Sequence, residues 1–574
     1  MNFFNIYLEE IKKTITKNKK KIDLIDKNIL NKITIESPPG KFNYDLSTNI
    51  SLILAKSTNQ NPKDLAGKIK KILVKEIKHF SSIDIAGPGF LNIKLSNEAW
   101  LHIIKNIEKN KKTFGSNKNK NKYNVEFVSA NPTGPLHIGH CRGAVFGDVL
   151  ANLLKFNGNK VIKEFYINDY GKQIDDFSKS IYFRLKEIKH NSKFPEDENL
   201  YPGEYIKEIS KIIINKHPNI NLENYDKIKK NLKKHGLNYS MDVIKSDLKS
   251  LGITHDNFFS ETNLIKNKAV QKVVNELRKK NLVQEGYLEP PKGEDNKNWK
   301  KVKRLIFKSS LFGDVSDRAL TKNDNTWTYF ANDLAYHSNK VSRKFDYLIN
   351  ILGADHSGYI KRISAAVDAL SNTKNVLTCK VCQLVKLIKN GQPYKMSKRK
   401  GDFITIKDVL NEVGKDSVRF MMLSRGNDVE LDFDFNKVLE KNKDNPVFYV
   451  QYCFARINSL YSSLNIKPNH KNKINNLKFT PNEYEYKLLR KIIEWPKIVD
   501  LSAKKLEPHR IPFYLYELST IFHSYWSKGN ENPEFKFIID GKIKNELTFK
   551  IFQLISITLI NAMFILGVSL PKKM

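Results

Sequence analysis

Two short segments far apart in the chain carry side chains suited to phosphate chemistry: His137-Ile138-Gly139-His140 and Lys395-Met396-Ser397-Lys398. The first follows Ala130-Asn131-Pro132-Thr133-Gly134-Pro135, a turn sequence leaving a predicted strand over 125–128, and it opens a predicted helix. Imidazoles three residues apart share one helical face and can donate to phosphate oxygens as charge builds, while Gly139 lets a nucleotide approach the backbone closely. The second lies in a Gly-flanked loop between Gly391-Gln392-Pro393 and Arg399-Lys400-Gly401, with Thr405 and Asp408 spaced as a cap for the next helix. The Lys395 and Lys398 ammonium groups suit the β- and γ-phosphates and a departing pyrophosphate. Together the two segments read as halves of one ATP site that activates an acid by adenylation. Gly353-Ala354-Asp355-His356 supplies a carboxylate at the end of a third predicted strand, where dinucleotide folds bind a ribose hydroxyl.

These residues need a sheet that delivers several strand ends to one edge. From Tyr123 onward strand and helix alternate: strands over 125–128, 161–167, 347–352 and 377–385, and a helix whose Val145, Val149, Leu150, Leu153 and Leu154 recur at helical spacing. That order predicts a doubly wound, Rossmann-like parallel sheet, whose ligands sit beyond the carboxyl ends of its strands. A charged, mostly helical insertion is expected over about 177–325, too polar for the central sheet. Strand signals stop after Leu423.

The 574 residues exceed what one core usually supports, and three domains are expected. Residues 1–115 form an N-terminal α+β domain ending in a strand-like run over 83–95, broken at Gly87-Pro88-Gly89; a polar linker over 115–122 closes it. The catalytic domain covers 123–425. Amphipathic helices over 438–574 make an all-α C-terminal domain.

Formal charge is +37, from 98 Lys and Arg against 61 Asp and Glu. A polyanionic partner such as nucleic acid fits that excess, although lysine-rich compositional drift accounts for most of it. Four cysteines do not make a disulfide framework, and free thiols fit the cytoplasm. Cys379 and Cys382 form a lone C-x-x-C within a strand-like run, which favours packing over a metal, and no protein-bound metal is expected. The N-terminus carries Glu9 and Glu10 and is no secretory signal. Residues 551–570 lack charge but are diluted by Gln553, Ser556, Thr558 and Asn561, so a packed helix is expected in place of a membrane span.

With both motifs present, the chain resembles the class I aminoacyl-tRNA synthetases and, within them, the bacterial-type arginyl-tRNA synthetases. The stretch over 125–144 resembles that family's first motif almost residue for residue. Tyr329-Phe330-Ala331-Asn332-Asp333-Leu334-Ala335-Tyr336-His337, Leu352-Gly353-Ala354-Asp355-His356-Ser357-Gly358-Tyr359, Ala86-Gly87-Pro88-Gly89-Phe90 and the C-terminal 566–574 extend the resemblance over nearly the whole chain. It implies an arginine pocket of Glu126, Ser129, Asn131, Tyr329, Asp333 and His356. Asp333 would meet the guanidinium beside a flat Tyr329, with Glu126 and Asn131 at the α-amino end. It further implies ATP contacts at Pro135, Leu136, Gly139, Gly353, Asp355, Met396 and Ser397, and catalysis by His137, His140, Lys395 and Lys398. The complete second motif places the chain in the subgroup that keeps it.

The implied reaction is arginine plus Mg-ATP to arginyl-adenylate, then transfer to the 3′ end of tRNA(Arg), which in this family must be bound before activation. The N-terminal domain would touch the tRNA elbow, the insertion the acceptor end and the C-terminal domain the anticodon. A monomer without membrane contact is expected. Three alternatives stand beside it. A cysteine-specific class I enzyme would need thiolate zinc ligands, which the pocket lacks. A small-metabolite nucleotidyltransferase would have no use for the long helical C-terminal domain. A catalytically silent RNA-binding relative would have lost the ATP motifs.

Overall fold

A computed structural model describes residues 2–23, 27–39, 43–288, 302–394, 404–465 and 477–574. Backbone contacts divide the chain into two compact units: residues 119–155 with 159–439, and residues 1–118 with 156–158 and 440–574.

The first unit is built on five parallel strands, β1 (Lys122–Glu126), β2 (Lys160–Ile167), β3 (Asn257–Ser260), β4 (Tyr347–Gly353) and β5 (Leu377–Cys382), in the order β5-β4-β1-β2-β3. The chain starts in the middle, runs outward through β2 and β3, then returns to the other side of β1. Crossover helices carry it: α1 (Ile138–Phe156) after β1, α2 (Lys172–His190) and α3 (Tyr225–Ser250) between β2 and β3, α4 (Tyr329–Ser342) before β4 and α5 (Ile360–Ser371) after it. The strand order therefore reverses between β1 and β4, and a crevice opens at their carboxyl ends.

Burial explains the strand choice. In β4 Leu348, Ile349, Asn350 and Ile351 are all buried, the continuous burial of a strand covered on both faces. One face of α1 packs so closely on the sheet that a Cβ at Gly147 would lie 2.3 Å from Cγ of Phe127. Asp148 of α1 is buried between Lys163 of β2, at 2.5 Å, and Arg419, at 2.6 Å.

Three expectations need correction. The insertion does contribute to the sheet: Asn257–Ser260 pairs with β2 as its edge strand. Its short Asn-Phe-Phe-Ser sequence sits in a polar stretch, which concealed it. Strands also continue past Leu423, since Leu431–Asp434 pairs in parallel with Val385–Lys389. The run expected over 377–385 is likewise split between β5 and Val385–Lys389.

In the second unit a four-stranded antiparallel sheet, in the order Ile35–Glu36, Leu46–Thr48, Phe90–Leu95, Phe80–Ala86, packs with helices Phe3–Lys17, Pro62–Glu76 and Asn97–Lys109. Helices Pro446–Ser463, Glu483–Lys505, Arg510–Glu531 and Glu546–Leu566 follow, with one small ribbon of Ile538–Ile539 and Lys542–Ile543. The helix Glu546–Leu566, which carries most of the uncharged run, is 78% buried over its apolar stretch and ends at Gly567, whose φ is 67°. The first half of the expected linker is fixed in place: Phe114 O accepts from Trp495 Nε1 at 2.9 Å and Asn117 donates to Asp500 at 2.9 Å.

Candidate active site

The turn that leaves β1 passes through two left-handed residues, Val128 with φ 70° and Ser129 with φ 39°. A β-branched residue there is strained, and the bonds around it hold the geometry. Ser129 Oγ donates to Glu126 Oε1 at 3.0 Å and accepts from Tyr166 N at 3.1 Å. Asn168 donates to Asn131 Oδ1 at 3.2 Å, joining the turn to the loop after β2.

The chain then runs straight into the imidazole pair. His137 immediately precedes α1 and His140 lies in its first turn, with ring centroids 3.9 Å apart. His137 Nδ1 accepts from Gly139 N at 3.1 Å, and His140 Nδ1 accepts from His137 N at 3.3 Å. A Cβ at Gly139 would lie 2.8 Å from the His137 ring, so glycine there makes room for the imidazole itself. Burial holds both imidazoles below their ordinary pKa; His140, with the His137 charge adding, falls to about 4. Both are neutral at physiological pH, and a neutral imidazole still carries one N–H donor.

His137 also forms an antiparallel bridge with Thr405. Ile138 N donates to Ile404 O at 3.0 Å, and Ile406 N to Leu136 O at 3.1 Å. The first motif is thus joined by backbone to residues 404–406, which begin six positions after the second. Thr405 caps the helix Ile406–Val413 in a reciprocal box with Asp408, as its spacing predicts. Lys395, Met396, Ser397 and Lys398 lie outside the described residues.

A cavity of about 660 Å³ opens at the carboxyl ends of β1 and β4. Its wall brings together Glu126, Ser129, Asn131, His137, Gly139, His140, Tyr329, Asp333, Gly353, Asp355 and His356, all expected from sequence. Two expected nucleotide contacts are elsewhere. Leu136 is fully buried, its N–H donating to Asp247 Oδ2 at 3.2 Å, and Pro135 lines a neighbouring cavity of about 400 Å³. Their backbone holds the turn, which turns their side chains from the cavity.

One end of the cavity is acidic. Asp333 accepts a hydrogen bond from Tyr359 Oη, and its pKa is raised to about 6 by burial, with the Glu126 charge adding. Tyr329, the first residue of α4, is 72% exposed at the rim with the Lys322 ammonium over its ring, which suits a face that receives a ligand better than a core aromatic. His356 and Asp355, also in the wall, are exposed, with side-chain atoms 3.4 Å apart.

Sequence reading missed the support behind this wall. Asp333, His337 and Lys340 recur at i, i+4 and i+7 on one face of α4, a spacing that could have revealed them. Fully buried Lys340 pairs with Glu126 Oε2 and donates to Asn350 Oδ1 at 2.9 Å. Asn350 in turn meets His337 Nε2 at 3.0 Å, and His337 Nδ1 lies 2.8 Å from Asp333 O. Glu164 was missed because its partners Arg343 and Tyr336 are far away in sequence. Burial alone would raise its pKa, but Arg343, with Lys340 nearby, brings it down to about 2. Cys382 lines the cavity, yet burial pushes its thiol to about 12, and Cys379 likewise. Neither is a reactive thiolate.

Comparison with known proteins agrees in each part of the chain. Family models match for the arginyl-tRNA synthetase N-terminal domain over residues 9–95, the class I (R) tRNA synthetase catalytic domain over 103–459 and the DALR anticodon-binding domain over 450–574. The arginine–tRNA ligase of Pelagibacter ubique is 49% identical over 577 residues, covering 100% of both chains, and that of Ehrlichia ruminantium is 46% identical over 90% of each. Among solved structures, a putative arginyl-tRNA synthetase from Campylobacter jejuni has a TM-score of 0.72 at 30% identity, covering 84% of this chain and 100% of that one. The Thermus thermophilus arginyl-tRNA synthetase shares the fold, with a TM-score of 0.70 at 18% identity, covering 97% of this chain and 100% of that one. With full-length identity of 49% added to a doubly wound sheet that gathers a H-I-G-H turn and an acidic pocket at one edge, the chain belongs to the arginyl-tRNA synthetase family.

Proposed function

We propose that the cavity binds arginine at its acidic end and ATP against the His137–His140 turn, with Asp333 as the guanidinium partner. The enzyme is an arginine–tRNA ligase, an ATP-dependent ligase of the class I type. The observation that carries the site reading is the His137–Thr405 bridge, which ties the stems of both ATP motifs to the cavity holding Asp333.

In this reading an arginine carboxylate oxygen attacks the α-phosphorus of ATP and pyrophosphate leaves, forming arginyl-adenylate. A hydroxyl of the terminal tRNA ribose then attacks the arginyl carbonyl and AMP leaves. The protein supplies no nucleophile; positioning and charge stabilisation do the work. Glu126, held by Lys340 and Ser129, and Asn131 face the α-amino end, while Tyr329 covers the guanidinium and His356 completes the rim. Neutral His137 and His140 donate to phosphate oxygens, Gly139, Gly353 and Asp355 border the adenosine, and Lys395 and Lys398, flanking Met396 and Ser397, meet the leaving pyrophosphate. Magnesium enters with the nucleotide as part of the substrate.

The domain roles belong to the same reading: residues 1–115 at the tRNA elbow, the insertion at the acceptor end and residues 438–574 at the anticodon of tRNA(Arg). Excess positive charge supports a polyanionic partner, and four free cysteines suit the cytoplasm. The enzyme acts as a monomer, which sedimentation would check.

Pyrophosphate exchange tests the assignment. Exchange with arginine and ATP should appear only with tRNA(Arg) present; its absence under every tRNA would refute the reading.

A further inference from the structure

Arg142 and Arg419 are both buried in the first unit, and their charges are met differently. Arg419 faces the carboxylate of Asp148 at 2.6 Å. Arg142, on α1 one turn past Gly139, is 2% exposed and has no ion-pair partner among the described residues. Its donors go to three main-chain carbonyls: Nη1 to Gln383 O at 3.0 Å and to Val429 O at 2.6 Å, and Nη2 to Gly426 O at 2.7 Å. Removing a guanidinium from water without a carboxylate is costly, and here burial outweighs the nearby Asp428 charge.

The three carbonyls belong to two loops that meet at one place. Gln383 follows β5, and the next strand begins at Val385; Gly426 and Val429 lie just before Leu431–Asp434, its parallel partner. The loops are bonded to each other there. Gln383 N donates to Asn427 O at 2.8 Å, Asn427 Nδ2 to Val381 O at 2.8 Å and Leu431 N to Leu384 O at 3.1 Å. Between the two strands the sequence runs through Lys395, Lys398 and the helix Ile406–Val413. Arg142 therefore reaches from the helix behind His137 and His140 to the base of the strand pair that holds the second motif.

We propose that Arg142 is a positioning residue for the ATP reaction: it pins the base of the second-motif segment to α1, so that Lys395 and Lys398 are delivered to the same phosphates as His137 and His140. The inference rests on the reading of the two motifs as one ATP site.

Geometry favours this role over simple space filling. The His137–Thr405 bridge is one attachment between α1 and the second-motif segment, and a single attachment leaves rotation about it. Arg142 supplies another, on the far side of that segment in sequence. A guanidinium is planar with its donors in a fixed fork, so bonds to carbonyls of two loops set where those loops lie. An ammonium has no such fork. Gln383 and Leu384 also line the substrate cavity, so the pin fixes part of its wall.

Pyrophosphate exchange by the full chain with arginine, ATP and tRNA(Arg), normalised to titrated active sites, tests this. Arg142→Lys keeps the charge and loses the fork. Its kcat should fall by about 10- to 100-fold, the usual penalty for small misplacement of reacting groups, and the ATP KM should rise while the arginine KM stays near wild type. Arg142→Met should be worse still; where it does not fold, the lysine variant decides. Hydrogen exchange of Arg142→Lys should quicken in residues 383–389 and 426–434 and stay unchanged in β1 and β4. A purely structural role would lower the urea midpoint and the number of active sites while leaving kcat per site and both KM values unchanged, and that result overturns the proposal. Equal rises in the arginine and ATP KM overturn it as well. A wild-type enzyme that gives no exchange under any tRNA refutes the ATP-site reading, and this inference with it.

Discussion

His137 and Thr405 face each other across an antiparallel bridge, flanked by the backbone bonds Ile138 N to Ile404 O and Ile406 N to Leu136 O at 3.0 and 3.1 Å. Residues far apart in sequence thereby share one small piece of sheet.

The cap on that anchor should matter to chemistry more than to substrate binding. Asp408 closes the box with Thr405, accepting from its Oγ1 at 2.6 Å. Asp408→Ala should cost about 1 kcal/mol of stability, the usual worth of such a cap. If the anchor positions the lysine loop, kcat for pyrophosphate exchange falls while the arginine KM changes little; a rise confined to the arginine KM would contradict this.

Substrate charge should be read at Asp333. Asp333→Ala removes the acceptor of a charge-assisted bond, worth about 2–3 kcal/mol, or roughly 30- to 150-fold in the arginine KM. The ATP KM should move far less. Equal effects on the two constants would take Asp333 out of the pocket.

The buried triad of α1 is a stability element. Asp148 lies between Lys163 and Arg419, each at about 2.5–2.6 Å, with all three side chains nearly inaccessible. Asp148→Asn leaves two buried cations without their counter-charge, and about 3–5 kcal/mol should be lost. Urea unfolding reads this directly. Arginine and ATP KM values should stay near wild type in protein that remains folded, because the triad is not part of the cavity wall.

Acid should destabilise the enzyme earlier than its carboxylates alone would. Burial lowers His140, His255, His337 and His523 to about 4 in the folded chain. A lowered histidine pKa means that the unfolded chain binds more protons between about pH 6.5 and 4, so stability falls as pH drops through that window. Asp333 and Glu261, raised to about 6 and 7, act in the opposite sense, but four histidines outweigh them. The urea midpoint should decline between about pH 6.5 and 5, before ordinary carboxylates titrate. His523→Gln, remote in sequence from the cavity wall, should make that decline shallower; an unchanged slope would argue against the buried-neutral state.

Much of the site was legible without coordinates because its parts are local. The H-I-G-H turn and the Thr405–Asp408 cap each depend on neighbours within a few residues, where side-chain type and helical or strand spacing set the geometry, while Asp333 was legible only through the resemblance of its stretch to the family. The alternation of strands and helices likewise implied a doubly wound sheet, since parallel strands require crossovers. Spacing did not show that Asn257–Ser260 is an edge strand, because four residues in a polar insertion carry too little pattern to register. Nor could it place Pro135 and Leu136 away from the cavity, link Glu126 to Lys340, or set Glu261 beside Asn332. Those relationships join β1, β3 and α4, and only the closing of the sheet brings them within reach. Sequence determined which chemical groups the enzyme owns; tertiary packing decided which of them lose water together, and so which carry charge, keep a proton or stay neutral.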